Sequence, residues 1–182
     1  MPETVLKIKT FGAPALRQKA KPVDEITEYH RDILSQMART MYSSPGIGLA
    51  ASQVGINQAM IVVDIGSGLY KLINPKVVKK EGSQINLEGC LSVPNICINV
   101  KRAKKVVVLA KDENGQPLKI ETQDLLACVL QHEIDHLRGR LIIDYASFLD
   151  RLRISRKLKK LKRKCQDEEL SESKTKSCQL QL

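Results

Sequence analysis

The sequence predicts an α+β fold in which short antiparallel or mixed strands pack around a central helix, with a further helix near the C-terminus. Three observations support this class. Apolar residues recur at helical spacing between positions 26 and 41, several short β-rich segments fill residues 59–121, and a second helical stretch begins near residue 124. Because strands and helices do not alternate along the chain, a parallel sheet built from βαβ units is not expected.

The first part of the chain predicts an extended segment, a helix and a loop. Residues 4–10 are expected to be extended, and Asp24 is a suitable N-cap for the helix that follows. The helical pattern stops at residues 43–46, where two serines, a proline and a glycine occur together. A loop rich in small residues then covers residues 46–55.

The middle of the chain predicts a set of short strands. Asn74 and Pro75 are expected to interrupt them, and residues 112–115 have the composition of a hairpin turn. The strands are expected at residues 59–64, 69–73, 76–80, 84–87, 96–100, 104–110 and 117–121.

The last third predicts two helices and a tail. The first helix ends at Gly139, and residues 141–144 are expected to form a short strand or extended piece. The final helix is expected from about residue 147 to residue 164. We therefore predict one catalytic domain over residues 1–164, followed by a disordered polar tail over residues 165–182.

Size and composition limit the class of protein. A chain of 182 residues with 42% hydrophobic residues and no tryptophan fits one globular domain with an aliphatic core. No apolar run approaches the ~20 residues of a membrane span, so no membrane association is expected. The N-terminus lacks a charged-then-apolar signal pattern, and the five cysteines are an odd number. These observations predict a cytoplasmic protein without a disulfide framework.

The net charge of +10 is concentrated near the C-terminus, where residues 151–182 carry 11 Lys or Arg against 4 Asp or Glu. Such a segment fits a polyanionic partner such as RNA. It also fits a solvated helix that aids solubility, and the lack of stacking aromatics favours this second interpretation.

A His-Glu-x-x-His pattern lies in the helix that begins near residue 124. Residues four apart share one helix face, so His132 and His136 can hold a single divalent metal, and Glu133 can reach a water bound to it. A metal that activates water beside a carboxylate is the core of a metallohydrolase. The pattern is short and also fits two histidines that only pack; His30, the third histidine, is expected to be structural or exposed.

A catalytic site of this kind needs a third protein ligand and one open position. Among the five cysteines, Cys90 is favoured modestly, because it follows Gly89 in a loop that Pro94 ends. The alternative interpretation of Cys90 is that it is only a small residue buried in the core. Beside the histidines, Glu133 is the better base, and Asp135 is expected to face solvent or to contact a neighbour of the ligands.

Three segments of the chain, residues 46–53, 88–92 and 131–136, resemble in order the three signature motifs of the bacterial peptide deformylases. The similarity runs through roughly residues 4–164. It implies an enzyme that removes the N-formyl group from the N-terminal methionine of new polypeptides and releases formate. In related bacterial enzymes a basic C-terminal helix docks on the ribosome, and our hypothesis is that residues 151–164 would do so here.

The resemblance also implies roles for single residues. Cys90, His132 and His136 would bind one divalent metal, usually Fe²⁺, with Zn²⁺, Ni²⁺ or Co²⁺ able to occupy the site. Glu133 would accept a proton and return it to the departing amine. The Gln53 side chain would stabilise the oxyanion together with the backbone N–H of Leu91.

The same motifs imply a substrate site. Ile47 and Gly48 would pair with the substrate backbone like an added strand. Glu88 would orient neighbouring backbone or substrate amide groups, and Gly89 would belong to the same substrate site. One to two turns before His132, an apolar pocket for the methionine side chain is expected. Its lining residues would be Leu125, Cys128 and Val129. For each of them plain core packing is an equal alternative.

Two other functions remain open at this point. A metallopeptidase would use the same His-Glu-x-x-His pattern, although the cysteine ligand and the first motif count against it. An RNA- or ribosome-binding module would need a structural metal closed by four ligands, and no fourth ligand lies near the motifs.

Overall fold

The computed structural model describes residues 5–179, with side chains up to residue 168. Within that range the helices are α1 (Glu28–Ser43), α2 (Asp124–Leu137) and α3 (Phe148–Gln179). The strands are β1 (Gly48–Ala50), β2 (Met60–Val63), β3 (Tyr70–Glu81), β4 (Gln84–Glu88), β5 (Ile98–Arg102), β6 (Lys105–Lys111) and β7 (Pro117–Gln123). Short 3₁₀ turns cover Pro14–Arg17, Ala51–Val54 and Ile142–Tyr145.

The strands form one five-stranded sheet in the order β1-β2-β3-β6-β7 and a separate ribbon of β4 and β5. Every pairing between these strands is antiparallel. The predicted α+β class is therefore confirmed. Strand β1 lies at an edge of the sheet, with β2 as its only partner among the described strands.

The five-stranded sheet is covered on both faces near β2. Ile61 and Val63 belong to the core cluster that includes α2, whereas Met60 and Val62 pack with α1. Because side chains alternate along a strand, burial of both faces requires the continuous apolar run that the sequence shows here. Helix α2 is thereby enclosed, and most of its residues are buried.

The third core cluster joins α3 to the ribbon of β4 and β5. Ile154 and Cys165 of α3 are buried in it together with Val100 and Ile142. A Cβ atom on Gly12 would lie 3.1 Å from the Cβ of Cys165, so the N-terminal loop runs directly against α3. In the described part of the chain, every helix is too short or too polar to span a bilayer.

The sequence predicted a helix to about residue 164 and a disordered tail from residue 165, whereas α3 is described as far as Gln179. Burial of Cys165 anchors the helix at the point where the tail was expected to start. Beyond it the sequence contains no Gly or Pro and several strong helix formers, so low hydrophobicity alone does not end the helix. Residues 180–182 lie outside the described residues.

Two further expectations are corrected. Strand β3 runs through Asn74 and Pro75 instead of breaking, because Asn74 adopts a φ of 54° and a register shift absorbs the irregularity. The Asn74 amide also bonds the backbone of Val23 at 2.7 and 2.9 Å. The segment expected as a strand at residues 141–144 forms the 3₁₀ turn Ile142–Tyr145.

Helix α1 begins at Glu28 and not at the position expected from Asp24. Thr27 is the N-cap, and its backbone N–H donates to Nδ1 of His30 at 3.1 Å. His30 is buried and therefore has the structural role expected for it.

Candidate metal centre and substrate cleft

Three potential ligand atoms converge at the centre of the molecule. Cys90 Sγ lies 3.2 Å from Nε2 of His136, which in turn lies 3.2 Å from Nε2 of His132. All three atoms are within 4.8 Å of one another. The histidines stand one turn apart on α2, and Cys90 comes from the loop after β4. Spacing along a helix therefore accounts for two ligands, and packing of the ribbon against α2 brings the third.

The two imidazoles of the cluster have different surroundings. Nδ1 of His132 lies 2.8 Å from Oε2 of Glu88, which leaves Nε2 facing the other two ligand atoms. Burial lowers the pKa of His136, so its imidazole stays neutral. Burial also lowers the pKa of His132, but hydrogen bonds to Cys90 and Glu88 outweigh it and raise that pKa to about 10. A ligating imidazole is neutral, so a divalent metal would take the place of the proton on His132. A cysteine sulfur with two imidazole nitrogens is a donor set that Fe²⁺ and Zn²⁺ accept.

A buried ionic network supports the centre from behind. Arg102 donates to both oxygens of Glu88, at 2.8 and 2.9 Å, and also to Asp135. The hydroxyl of Tyr145 donates to Asp135 at 2.6 Å. Burial raises the pKa of Glu88, but Arg102 and His132 outweigh it and lower that pKa to about 2. Glu88 therefore remains an anion throughout the physiological range.

Sequence reasoning missed Arg102 and Tyr145. A signal for Arg102 existed, because Ile98, Val100 and Arg102 alternate inward along β5. Asp135, which was expected to face solvent or to contact a neighbour of the ligands, is buried and takes the second of these places.

Glu133 lies in the cleft with an unsatisfied carboxylate. Its Oε2 is buried and accepts no hydrogen bond from any described residue. Burial raises the pKa of Glu133 to about 7. Strand β1 passes so close that a Cβ atom on Gly48 would overlap the carboxylate, with 2.9 Å to its Cδ. Only glycine at position 48 leaves room for this arrangement.

Gln53 presents its amide to the same centre. Its Oε1 accepts the backbone N–H of Ala50 at 2.8 Å, which directs Nε2 toward Ser92 Oγ at 3.2 Å and Cys90 Sγ at 3.7 Å. The side chain is almost fully buried. The backbone N–H of Leu91, next to Cys90, donates to no other described residue. Two donors thus lie beside Cys90.

An open cleft of about 680 Å³ lies beside this centre, with Cys90, Glu133 and Gln53 in its wall. Of the residues that the sequence assigned to the site, only His136 is absent from its wall, because it lies deeper. The others that line it are Ile47, Gly48, Gln53, Glu88, Gly89, Cys90, Leu91, Leu125, Cys128, Val129, His132 and Glu133. A smaller hollow of about 280 Å³ on β3, β6 and β7 is lined mainly by Lys, Glu and Val and holds no such cluster.

Comparison with known proteins identifies the family. The family model described as polypeptide deformylase matches residues 5–152. The chain belongs to this family. A peptide deformylase of Syntrophomonas wolfei is 54% identical over 143 residues, which are 79% of this chain and 94% of the relative. One of Thermoanaerobacter pseudethanolicus is 51% identical over 144 residues, 79% of this chain and 91% of the relative.

Solved deformylase structures share the fold. The crystal structure of a peptide deformylase from Legionella pneumophila superposes with a TM-score of 0.83 at 41% identity, covering 88% of this chain and 96% of that one. The enzyme from Synechococcus elongatus, solved in complex with actinonin, gives 0.80 at 41% identity, covering 84% and 87%. The predicted activity is thereby confirmed: this deformylase is a metal-dependent hydrolase that removes the N-formyl group from the N-terminal methionine of nascent polypeptides.

One wall of the deformylase cleft is more polar than the sequence predicted. Cys128 was expected as an apolar lining residue, yet its thiol donates to Oε1 of Glu88 at 3.1 Å. Burial, followed by this contact with Glu88, raises the pKa of Cys128 to about 12, so it stays a thiol. Asn86 of β4, to which the sequence gave no role, also lines the cleft.

Proposed function

We propose that Cys90, His132 and His136 hold one divalent metal in this deformylase, and that the native metal is Fe²⁺, with Zn²⁺, Ni²⁺ or Co²⁺ as substitutes. The observation that carries this proposal is the approach of the three ligand atoms to within 4.8 Å of one another beside an open cleft. Three protein ligands leave a position for water or substrate. When bound, the metal polarises the formyl carbonyl and lowers the pKa of a water molecule.

Glu133 is the proton carrier in this proposal. It accepts the proton of the attacking water and later delivers it to the nitrogen of the departing peptide. Support comes from its buried carboxylate without a hydrogen-bond partner among the described residues, and from a pKa raised to about 7 by burial. A carboxylate in these surroundings takes up and releases a proton near neutral pH.

The Gln53 amide and the backbone N–H of Leu91 stabilise the oxyanion that forms on the formyl oxygen. The bond from Ala50 to Gln53 fixes the side chain before substrate arrives, so no reorganisation is needed during the reaction. The N–H of Leu91 is free of other described partners and lies next to Cys90. Both donors therefore suit a negative charge that develops beside the metal.

The substrate backbone binds as an added strand along β1. Ile47 and Gly48 supply the pairing groups, and Glu88 and Gly89 line the same cleft. Support comes from the edge position of β1, which leaves one side of the strand without a partner strand among the described residues.

The methionine side chain enters the pocket formed by Leu125, Cys128 and Val129. Because Glu88 accepts the Cys128 thiol hydrogen, this side chain leaves no unsatisfied hydrogen-bond donor in the pocket. We expect Val129→Phe to fill the pocket and lower kcat/KM for formyl-Met-Ala-Ser at least tenfold with metal content unchanged. An unaltered kcat/KM would contradict the role of this pocket.

A direct experiment tests the ligand set. The wild type and Cys90→Ser are purified without oxygen, their metal content is measured, and formate release from formyl-Met-Ala-Ser is followed. As a matched control, Cys97→Ser changes an exposed thiol outside the cluster. The proposal requires loss of metal and activity in Cys90→Ser only; full metal content in that variant would reject the ligand set.

We propose further that the basic face of α3 docks on the ribosome. Support comes from the exposed cations Arg156, Lys159, Lys160 and Arg163, which lie away from the buried residues of α3. Replacing these four by Gln keeps the packing face. The variant is expected to lose salt-sensitive co-sedimentation with ribosomes while keeping activity on formyl-Met-Ala-Ser; unchanged co-sedimentation would contradict the proposal.

We propose that residues 1–164 form the catalytic domain and that the enzyme works in the cytoplasm. The cysteines with described side chains are all free thiols, and the proposed thiol ligand Cys90 needs a reducing compartment.

A further inference from the structure

Asn86 is a polar side chain of the cleft that the proposed mechanism leaves without a role. It lies two residues before Glu88 on β4, so strand alternation directs both side chains toward α2. Its amide nitrogen is shielded from solvent and donates no hydrogen bond to any described residue. A buried amide without a partner disfavours an apolar neighbour and favours an acceptor.

The surroundings of this amide leave it only a weak acceptor. Burial and Glu88 raise the pKa of Cys128, and the side-chain amide of Asn86 beside the Cys128 sulfur acts in the opposite sense. The thiol hydrogen of Cys128 is already donated to Glu88. Cys128 and Asn86 thus lie side by side in the wall of the cleft that holds the pocket proposed for the methionine side chain, which Leu125 and Val129 also line.

We propose that Asn86 determines the specificity of this pocket by donating its amide N–H to an acceptor atom near the end of the substrate's first side chain. The proposal rests on the proposed function of the pocket. Rotation about χ2 of an asparagine is soft, so the N–H can turn from the Cys128 sulfur to an occupant. The thioether sulfur of methionine is a weak acceptor, whereas the corresponding methylene of norleucine is none.

The class of substrate follows from this contact. Formylated peptides whose first side chain is unbranched and carries a sulfur or an ether oxygen near its end are preferred over equally long hydrocarbon side chains. A site that holds a polar group for its substrate rejects the analogue that leaves this group unpaired. Because a thioether accepts weakly, we expect a preference of about threefold to tenfold for methionine over norleucine.

The test compares kcat/KM for formyl-Met-Ala-Ser and formyl-norleucyl-Ala-Ser in the wild type and in Asn86→Leu, which has a similar shape and no amide. Asn99→Leu is the control, since it makes the same change on the adjacent strand β5 at an exposed position. We expect the methionine-to-norleucine ratio to fall to about one in Asn86→Leu and to stay at the wild-type value in Asn99→Leu. The thermal midpoint of Asn86→Leu should equal or exceed that of the wild type, because an unpaired amide is removed.

The outcomes separate the explanations. Equal kcat/KM for the two substrates in the wild type overturns the proposal without any variant. A ratio that Asn86→Leu leaves unchanged also overturns it, and a lower thermal midpoint in that case marks Asn86 as structural. If Val129→Phe also leaves kcat/KM for formyl-Met-Ala-Ser unchanged, the pocket itself is wrong. If Val129→Phe lowers it, only the inference on Asn86 fails.

Discussion

Oε2 of Glu88 lies 2.8 Å from Nδ1 of His132, and this contact joins the candidate metal centre to the buried guanidinium of Arg102. Glu88 and Arg102 come from the consecutive strands β4 and β5, and His132 lies on α2, 44 residues after Glu88. Because Arg102 keeps Glu88 ionised, His132 meets a fixed negative charge behind its ring. The orientation of one proposed ligand therefore depends on packing between the ribbon and α2.

The contact between Glu88 and His132 predicts a loss of metal affinity in Glu88→Gln. An amide keeps the shape but removes the charge that orients His132, so the affinity for metal is expected to fall about 10- to 100-fold. Competition with a chelator at increasing concentration measures this. Glu121→Gln, an exposed position on β7, serves as control and should behave as wild type. Equal metal affinity in the wild type and Glu88→Gln would contradict the proposed support.

Removal of Arg102 should destabilise the fold strongly. Arg102→Met leaves Glu88 and Asp135 as buried carboxylates without their cation, which costs about 3–5 kcal/mol in the free energy of unfolding. Arg153→Met breaks an exposed pair with Asp150 and should cost at most about 1 kcal/mol. Urea unfolding of both variants gives the comparison. Similar losses in the two would show that the buried network adds nothing specific.

The close approach of β1 to Glu133 predicts that Gly48→Ala loses most of its activity. The added methyl group must displace the Glu133 carboxylate, and a displacement of about 1 Å lowers kcat about 100-fold. Metal content should stay at the wild-type level, since Glu133 is not a proposed ligand. Turnover and metal analysis on the same sample test this, and wild-type turnover would show that the carboxylate tolerates movement.

The ion pair between Arg17 and Asp144 predicts a pH dependence of stability. Arg17 holds both oxygens of Asp144, at 2.6 and 3.0 Å. Burial raises the pKa of Asp144, but this contact and the N–H of Leu141 outweigh it and lower the pKa below its ordinary value of 3.8. A lowered pKa stabilises the fold above the ordinary value, and the contribution is lost as pH falls through the lowered one.

Asp144→Asn should therefore reduce the free energy of unfolding by about 1 kcal/mol at pH 7, and the difference from wild type should vanish below the lowered pKa. Urea titrations at several pH values measure it. Asp167→Asn, at an exposed position of α3, is the control for a general charge effect. A difference that stays constant with pH would contradict the assignment.

The parts of the site that sequence could predict are those set by local geometry. His132, Glu133 and His136 follow from spacing on one helix, and the structure places His132 and Glu133 in the cleft wall with His136 behind it. Cys90 was favoured only modestly by its loop, and family resemblance was needed for Gln53 and Leu91. These residues reach the centre through tertiary packing, which spacing does not encode.

The parts that sequence could not predict depend on contacts between distant elements. Arg102 pairs with carboxylates on β4 and α2, and no local pattern announces such partners. Strand β3 continues through Pro75 because the Asn74 amide bonds the backbone of Val23, far away in sequence. Helix α3 extends past Cys165 because that residue packs against the N-terminal loop. In both cases the local sequence predicts the end of a strand or helix at a position where contacts with distant residues allow it to continue.

The central claim is that Glu133 moves the proton while Cys90, His132 and His136 hold the metal. The most direct measurement is formate release from formyl-Met-Ala-Ser by Glu133→Gln, with metal content determined on the same sample. The proposal predicts full metal content and a loss of kcat of about 100-fold or more. Glu133→Gln with wild-type kcat, or one that has lost its metal, would contradict it.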